Sequence, residues 1–216
     1  MEKILFIGNS YTFFNDMPLL FKALANENGK SVEVTSVTKG GRFLWQNVEL
    51  DDEFSKDVAK AFDGEYDIAI LQDQSLVAYD APDKFFSGIK AHCDRLKTKR
   101  ILLYATWGRK EGSDKLKERN LSSMEMYEKL DTEYNKVAAQ LGVEVSNVGK
   151  AFKYIYTNYP ETDVYKPDLS HPSYLGSCLA AMVHYKSVFG DAPKKVSSLK
   201  LDKITVNQFL EAIITV

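Results

Sequence analysis

Apolar or β-branched runs alternate with helical patterns along almost the whole chain, and this alternation constrains the fold more than any other feature of the sequence. The segments KILFIG, SVEVTSV, YDIAILQ, RILLYATW and VEVSNV read as five strands. MPLLFKALANENG between the first two reads as a helix, with Asp16 near its start, Pro18 in its first turn and Gly29 after its end. DDEFSKDVAKAF is amphipathic and begins with acidic residues that suit the helix dipole. PDKFFSGIKAHCDRLK and LSSMEMYEKLDTEYNKVAAQLG read as the next two helices, and helical segments are expected around Ala151–Asn158, Tyr174–Phe189 and Val206–Ile214. Strands separated by helices form a parallel sheet covered on both faces, so the expected fold class is α/β, a flavodoxin-like three-layer sandwich. Five strands fit the order 2-1-3-4-5, in which ligands bind beyond the carboxyl ends of the first and third strands. With no repeat, low-complexity segment or linker, residues 1–216 are expected to form one domain.

That geometry directs attention to the strand ends. The first strand runs into Gly8-Asn9-Ser10, the second into Gly40-Gly41, and the third into LQDQS, Leu71 to Ser75. A serine becomes nucleophilic at neutral pH only with a base beside it and a partner that orients the base. His92 and His184 fall inside helices and read as partly buried structural residues. His171 lies in KPDLSHPSYLG, where the chain returns to the carboxyl edge, and Asp168 precedes it by three residues, close enough for a tight turn. Pro172 suits a first helical position, which would make His171 the cap. Acyl transfer also needs donors aimed at the developing oxyanion. The candidates are the Ser10 N–H, the N–H of Gly41 or Gly40, and the side-chain amide of Gln74 or Gln72.

These blocks, FIGNSYT, KGGRF, LQDQS and DLSHPS in that order, resemble the SGNH (GDSL-like) hydrolase superfamily across most of the chain. The resemblance implies Ser10 as nucleophile, His171 as base, Asp168 as its orienter, and Gly41 as oxyanion donor. It also implies the flavodoxin-like sheet. Two blocks depart from the family pattern. Gly-Asn-Ser stands for the usual Gly-Asp-Ser, and QDQS stands where Gly-x-Asn-Asp is usual, which puts Gln74 at the asparagine position.

Composition narrows the partners. A net charge of −2 gives no reason to expect nucleic acid or an acidic membrane surface, and no apolar run is long enough to span a bilayer. Two distant cysteines and three histidines imply neither a disulfide framework nor a metal cluster, so no metal is expected, and the esterase reading calls for no cofactor. No signal peptide is legible, so a cytoplasmic protein is expected, though a trimmed secreted chain would look the same. The charged loop TWGRKEGSDKLKERN after the fourth strand is placed to bind substrate, with Trp107 as an apolar or sugar-stacking wall and Arg109 as a contact for an anionic group. The expectation is a serine esterase acting through an acyl-enzyme on Ser10, on a small-molecule or carbohydrate ester such as an O-acetylated sugar. An acyltransferase is a close variant. The alternatives of another class are a non-catalytic ligand-binding protein, or a phosphate- or flavin-binding module using Ser10 and Thr12.

Overall fold

The computed structural model describes every residue from Met1 to Val216. Its single sheet contains β1 (Glu2–Gly8), β2 (Val32–Thr38), β3 (Glu65–Leu71), β4 (Lys97–Tyr104) and β5 (Glu144–Ser146), all parallel, in the order β2-β1-β3-β4-β5. Register aligns Gly8 with Thr38, Ile7 with Leu71, Leu71 with Leu103, and Tyr104 with Ser146, so the carboxyl ends form one edge. The switch between β1 and its two neighbours opens at that edge.

Alternate strand residues point to opposite faces, and both faces are apolar because both are covered. Ile4, Phe6, Ile68, Ile70, Leu102 and Tyr104 pack against helices Met17–Glu27, Val148–Asn158, Tyr174–Phe189 and Lys203–Ile214. Leu5, Ile7, Ala69, Leu71 and Leu103 pack against helices Glu53–Asp63, Pro82–Cys93 and Ser123–Leu141. No helix is long and apolar enough to cross a membrane.

Local signals explain most boundaries. Asp52 caps its helix by accepting from the Ser55 N–H, and Ser122 forms a reciprocal capping box with Glu125. Gly142 ends the long helix in the left-handed region at φ 65°. Three expectations need correction. β5 is shorter than VEVSNV, because the chain turns into a helix at Val148. A short helix, Ser75–Asp80, follows the third strand in a stretch to which the sequence pattern assigns no element. The helix after His171 begins at Tyr174, with the Ser173 hydroxyl accepting from the Gly176 N–H; Ser173 is therefore the cap, and Pro172 instead bridges to Tyr165.

Candidate active site

The turn after β1 is built around Gln72, the first residue beyond β3. Its N–H continues the ladder to the Ile7 carbonyl. Its Oε1 accepts from the Asn9 N–H at 2.8 Å and from the Thr12 hydroxyl at 2.9 Å, and its amide donates to the Asp73 carbonyl. Gly8 must be small here: a Cβ would lie 2.4 Å from Thr12 Oγ1 and 2.6 Å from Gln72 Oε1. Asn9 then caps the helical turn Ser10–Phe13, its Oδ1 accepting from the Tyr11 N–H while its Nδ2 donates to the Arg42 carbonyl at 3.0 Å. An aspartate would turn that second contact into a carboxylate facing a carbonyl, so the asparagine of Gly-Asn-Ser has a local physical reason. These bonds leave Ser10 presented at the sheet edge.

Ser10 Oγ lies 2.9 Å from His171 Nε2, and His171 Nδ1 lies 2.7 Å from Asp168 Oδ2. An ionised carboxylate only accepts, so Nδ1 carries the hydrogen and Nε2 offers its lone pair to the serine hydroxyl. The tight turn holding Asp168 is closed by its own Oδ1, which accepts from the N–H groups of Ser170 and His171 at 3.0 and 2.8 Å. Partial burial opposes the charge on Asp168, but those N–H donors and the His171 ring outweigh it and hold the carboxyl below its ordinary range.

The two segments are joined from several sides. The Tyr11 hydroxyl lies 2.5 Å from Ser170 Oγ, and the Trp107 indole N–H donates to the Ser170 carbonyl at 2.9 Å. Asn15 and Asp16 adopt left-handed backbone at φ 55° and 52°, a conformation that asparagine and aspartate tolerate better than most residues. From that position Asn15 Nδ2 reaches the Ser173 carbonyl at 3.1 Å and Ser177 Oγ at 2.9 Å, fixing the serine turn against the chain that follows His171.

A cavity of about 320 Å³ opens here, lined by Ser10, Gly41, Gln74, Arg109, Asp168 and His171, among others. Gly41, at φ 69°, occupies a turn closed by the Arg42 N–H to the Lys39 carbonyl, a conformation that favours glycine. The backbone N–H groups of Ser10 and Gly41 donate to no protein carbonyl. Gln74 accepts from the Leu76 N–H at 2.6 Å through Oε1, which orients its carboxamide and leaves the NH₂ free to donate into the cavity it lines. Between the two glutamines the bonding differs sharply: Gln72 is 1% exposed, and both its amide oxygen and its amide nitrogen are bonded within the scaffold.

Asp73 was not singled out by the sequence reading, yet it links the two loops. Its Oδ1 accepts from the N–H groups of Leu44, three residues past Gly41, and of Gln74, at 3.0 and 2.8 Å. Its Oδ2 is buried without a partner. Burial pushes the Asp73 carboxyl up to about 7, against the opposing effect of its two N–H donors. The folded state therefore holds this proton more tightly than the unfolded chain does. The associated stability is complete below the ordinary aspartate value of 3.8 and is lost as pH rises through about 7. Asp73→Asn keeps an acceptor and removes the charge. Its stability relative to the unsubstituted chain should rise by on the order of 2–3 kcal/mol between about pH 5 and about pH 8. Urea titrations of both proteins at the two pH values measure this. A difference that does not change with pH means that the carboxyl does not titrate in this window.

His92 is fully buried, with Nδ1 at 2.8 Å from the Gly88 carbonyl and Nε2 at 3.2 Å from Asn47. His184 is also fully buried, 2.8 Å from Ser146 Oγ. Burial lowers these two histidines to about 4 and about 3, which keeps both neutral. Thr12 is completely buried with its hydroxyl engaged by Gln72, so it does not reach a phosphate at this edge. Trp107 also requires correction. It is fully buried, stacked between Tyr11 and Phe152 with centroids at 4.6 and 3.9 Å, and forms no part of the cavity wall. Arg109, by contrast, lines the cavity.

No protein-family model and no curated protein matches the chain. Solved structures do match. A protein from Slackia heliotrinireducens, provisionally classed as an SGNH hydrolase, is 24% identical and superposes with a TM-score of 0.75 over 87% of this chain and 98% of its own. A DUF4886 family protein from Bacteroides uniformis is 16% identical with a TM-score of 0.82, covering 99% of this chain and 93% of its own. An acetylxylan esterase from Geobacillus stearothermophilus is 14% identical with a TM-score of 0.58, covering 93% and 95%. The chain has the fold of the SGNH (GDSL-like) hydrolases.

Proposed function

We propose that this protein is a serine esterase, working without a cofactor, that cleaves a small acyl ester through an acyl-enzyme on Ser10. The observation that carries the reading is the continuous contact from Ser10 Oγ through the His171 ring to Asp168, beside three unengaged donors on one cavity. Ser10 Oγ attacks the ester carbonyl as its proton passes to His171 Nε2, and the resulting imidazolium is stabilised by Asp168. The N–H groups of Ser10 and Gly41 and the Gln74 amide stabilise the oxyanion. Collapse breaks the bond to the leaving alcohol, which takes the proton from His171. Water then attacks the acyl-serine with His171 again as base, releasing the acid and free Ser10.

The acetylxylan esterase among the structurally similar proteins acts, by its name, on an acetylated polysaccharide. This supports an O-acetylated carbohydrate as the substrate class. A fluorophosphonate ester, followed by peptide mapping, tests the reaction class. Stoichiometric labelling of Ser10 is the expected result. A folded protein that resists the reagent, or is labelled at another serine, overturns the assignment.

A further inference from the structure

Arg109 is set apart from the other arginines of the chain. Arg42 pairs with Asp52, Arg100 with Glu144 and Arg119 with Asp80, while Arg95 lies over the Phe62 ring. No carboxylate lies within ion-pair distance of the Arg109 guanidinium, and its Nε is buried without a hydrogen-bond partner. An unsatisfied charged donor of this kind is costly to maintain, and Arg109 is among the residues that line the cavity holding Ser10 and His171.

Its backbone is held firmly. The Arg109 carbonyl accepts from the Ser123 hydroxyl at 2.6 Å, and the next residue's N–H donates to the Leu169 carbonyl at 2.9 Å. Gly108 is pinned as well, its carbonyl accepting from the Tyr165 hydroxyl at 2.7 Å. The loop is thus tied to the Asp168–His171 turn and carries a cation whose donors no protein group uses.

We infer that Arg109 is a specificity residue that binds a carboxylate on the substrate, so that the preferred ester is a small O-acyl compound bearing one negative charge, such as an acylated acidic sugar or hydroxy acid. The inference rests on the esterase reading above. A guanidinium presents paired donors that match a planar carboxylate. A phosphate dianion fits less well. Arg109 is the sole Lys or Arg on the cavity wall, Asp168 lies on the same wall, and the nearby Lys110 is paired with Asp163.

The test compares acetate release from 4-acetoxybenzoate and from the neutral 4-acetoxybenzamide. The unsubstituted enzyme should prefer the carboxylate in kcat/KM, and Arg109→Gln should reduce that preference by on the order of 10- to 100-fold, mainly through KM. Arg109→Lys, which keeps the charge but not the paired donors, should recover part of it. Calorimetric binding of 4-hydroxybenzoate and 4-hydroxybenzamide to the same proteins gives a readout independent of turnover. An unchanged preference in Arg109→Gln, in rates and in binding, overturns the carboxylate site. Inhibition by inorganic phosphate that depends on Arg109 and exceeds that by benzoate overturns it in favour of a phosphate site. If neither ester is cleaved while 4-hydroxybenzoate binding still depends on Arg109, the esterase reading fails and the anion site stands.

Discussion

Ser10→Ala should lower kcat/KM for ester hydrolysis by about 10⁴-fold or more, with the fold retained. The size of the loss follows from the role of the hydroxyl, which forms the covalent bond; without it only water positioned by the remaining donors can react. Retention of the fold follows from the local bonding. Ser10 Oγ contacts only His171 Nε2, whereas the turn itself is held by Asn9, Thr12 and Gln72. Loss of one neutral hydroxyl contact should therefore change stability by no more than about 1 kcal/mol. A thermal melt run beside the assay separates the two effects. Activity within about tenfold of the unsubstituted protein would remove Ser10 as the nucleophile, because no triad serine is so dispensable.

The second large effect separates two glutamines that are two residues apart. Gln74→Ala should reduce kcat by on the order of 10²-fold with little change in KM, as expected for a donor acting mainly on the developing oxyanion. It also removes the cap of helix Ser75–Asp80, at a cost of about 1 kcal/mol. Gln74→Asn restores an amide on a shorter side chain and should recover part of the rate. Gln72→Ala should act through stability. It leaves the buried Asn9 N–H and Thr12 hydroxyl without their shared acceptor, which costs about 2–5 kcal/mol, and it loosens the turn that presents Ser10. Denaturant midpoints and kcat, measured for both variants, distinguish the roles. If Gln72→Ala keeps its stability and loses kcat while Gln74→Ala keeps kcat, the two assignments are reversed.

The sheet order was legible because strand and helix periodicities alternate, and because parallel crossovers leave few orders open to five strands. The short helix Ser75–Asp80 was hidden because six residues carry too little periodicity to register. Gln72 and Gln74 are chemically identical in sequence. They part company only because the Gln72 N–H still pairs with Ile7, which keeps its side chain among the buried turn residues. Trp107 read as a wall residue because it sits in a charged loop, yet that loop begins by folding inward beneath the site. Asp73 and the unpaired state of Arg109 are products of three-dimensional neighbours, Leu44 in one case and the lack of any carboxylate in the other. No local pattern encodes either.

The parallel stack of Tyr11, Trp107 and Phe152 has a practical consequence. The chain has two tryptophans, and they occupy opposite environments. Trp107 is sealed, lies face to face with the residue after Ser10, and is bonded to the carbonyl before His171. Trp45 is partly exposed and lies under the Lys84 ammonium. A water-soluble quencher such as iodide therefore reaches Trp45 and not Trp107, so the emission that survives quenching comes from the site. The molecule carries its own optical gauge, in which a change at Ser10 or in the His171 turn is read as a shift in protected fluorescence without any added label.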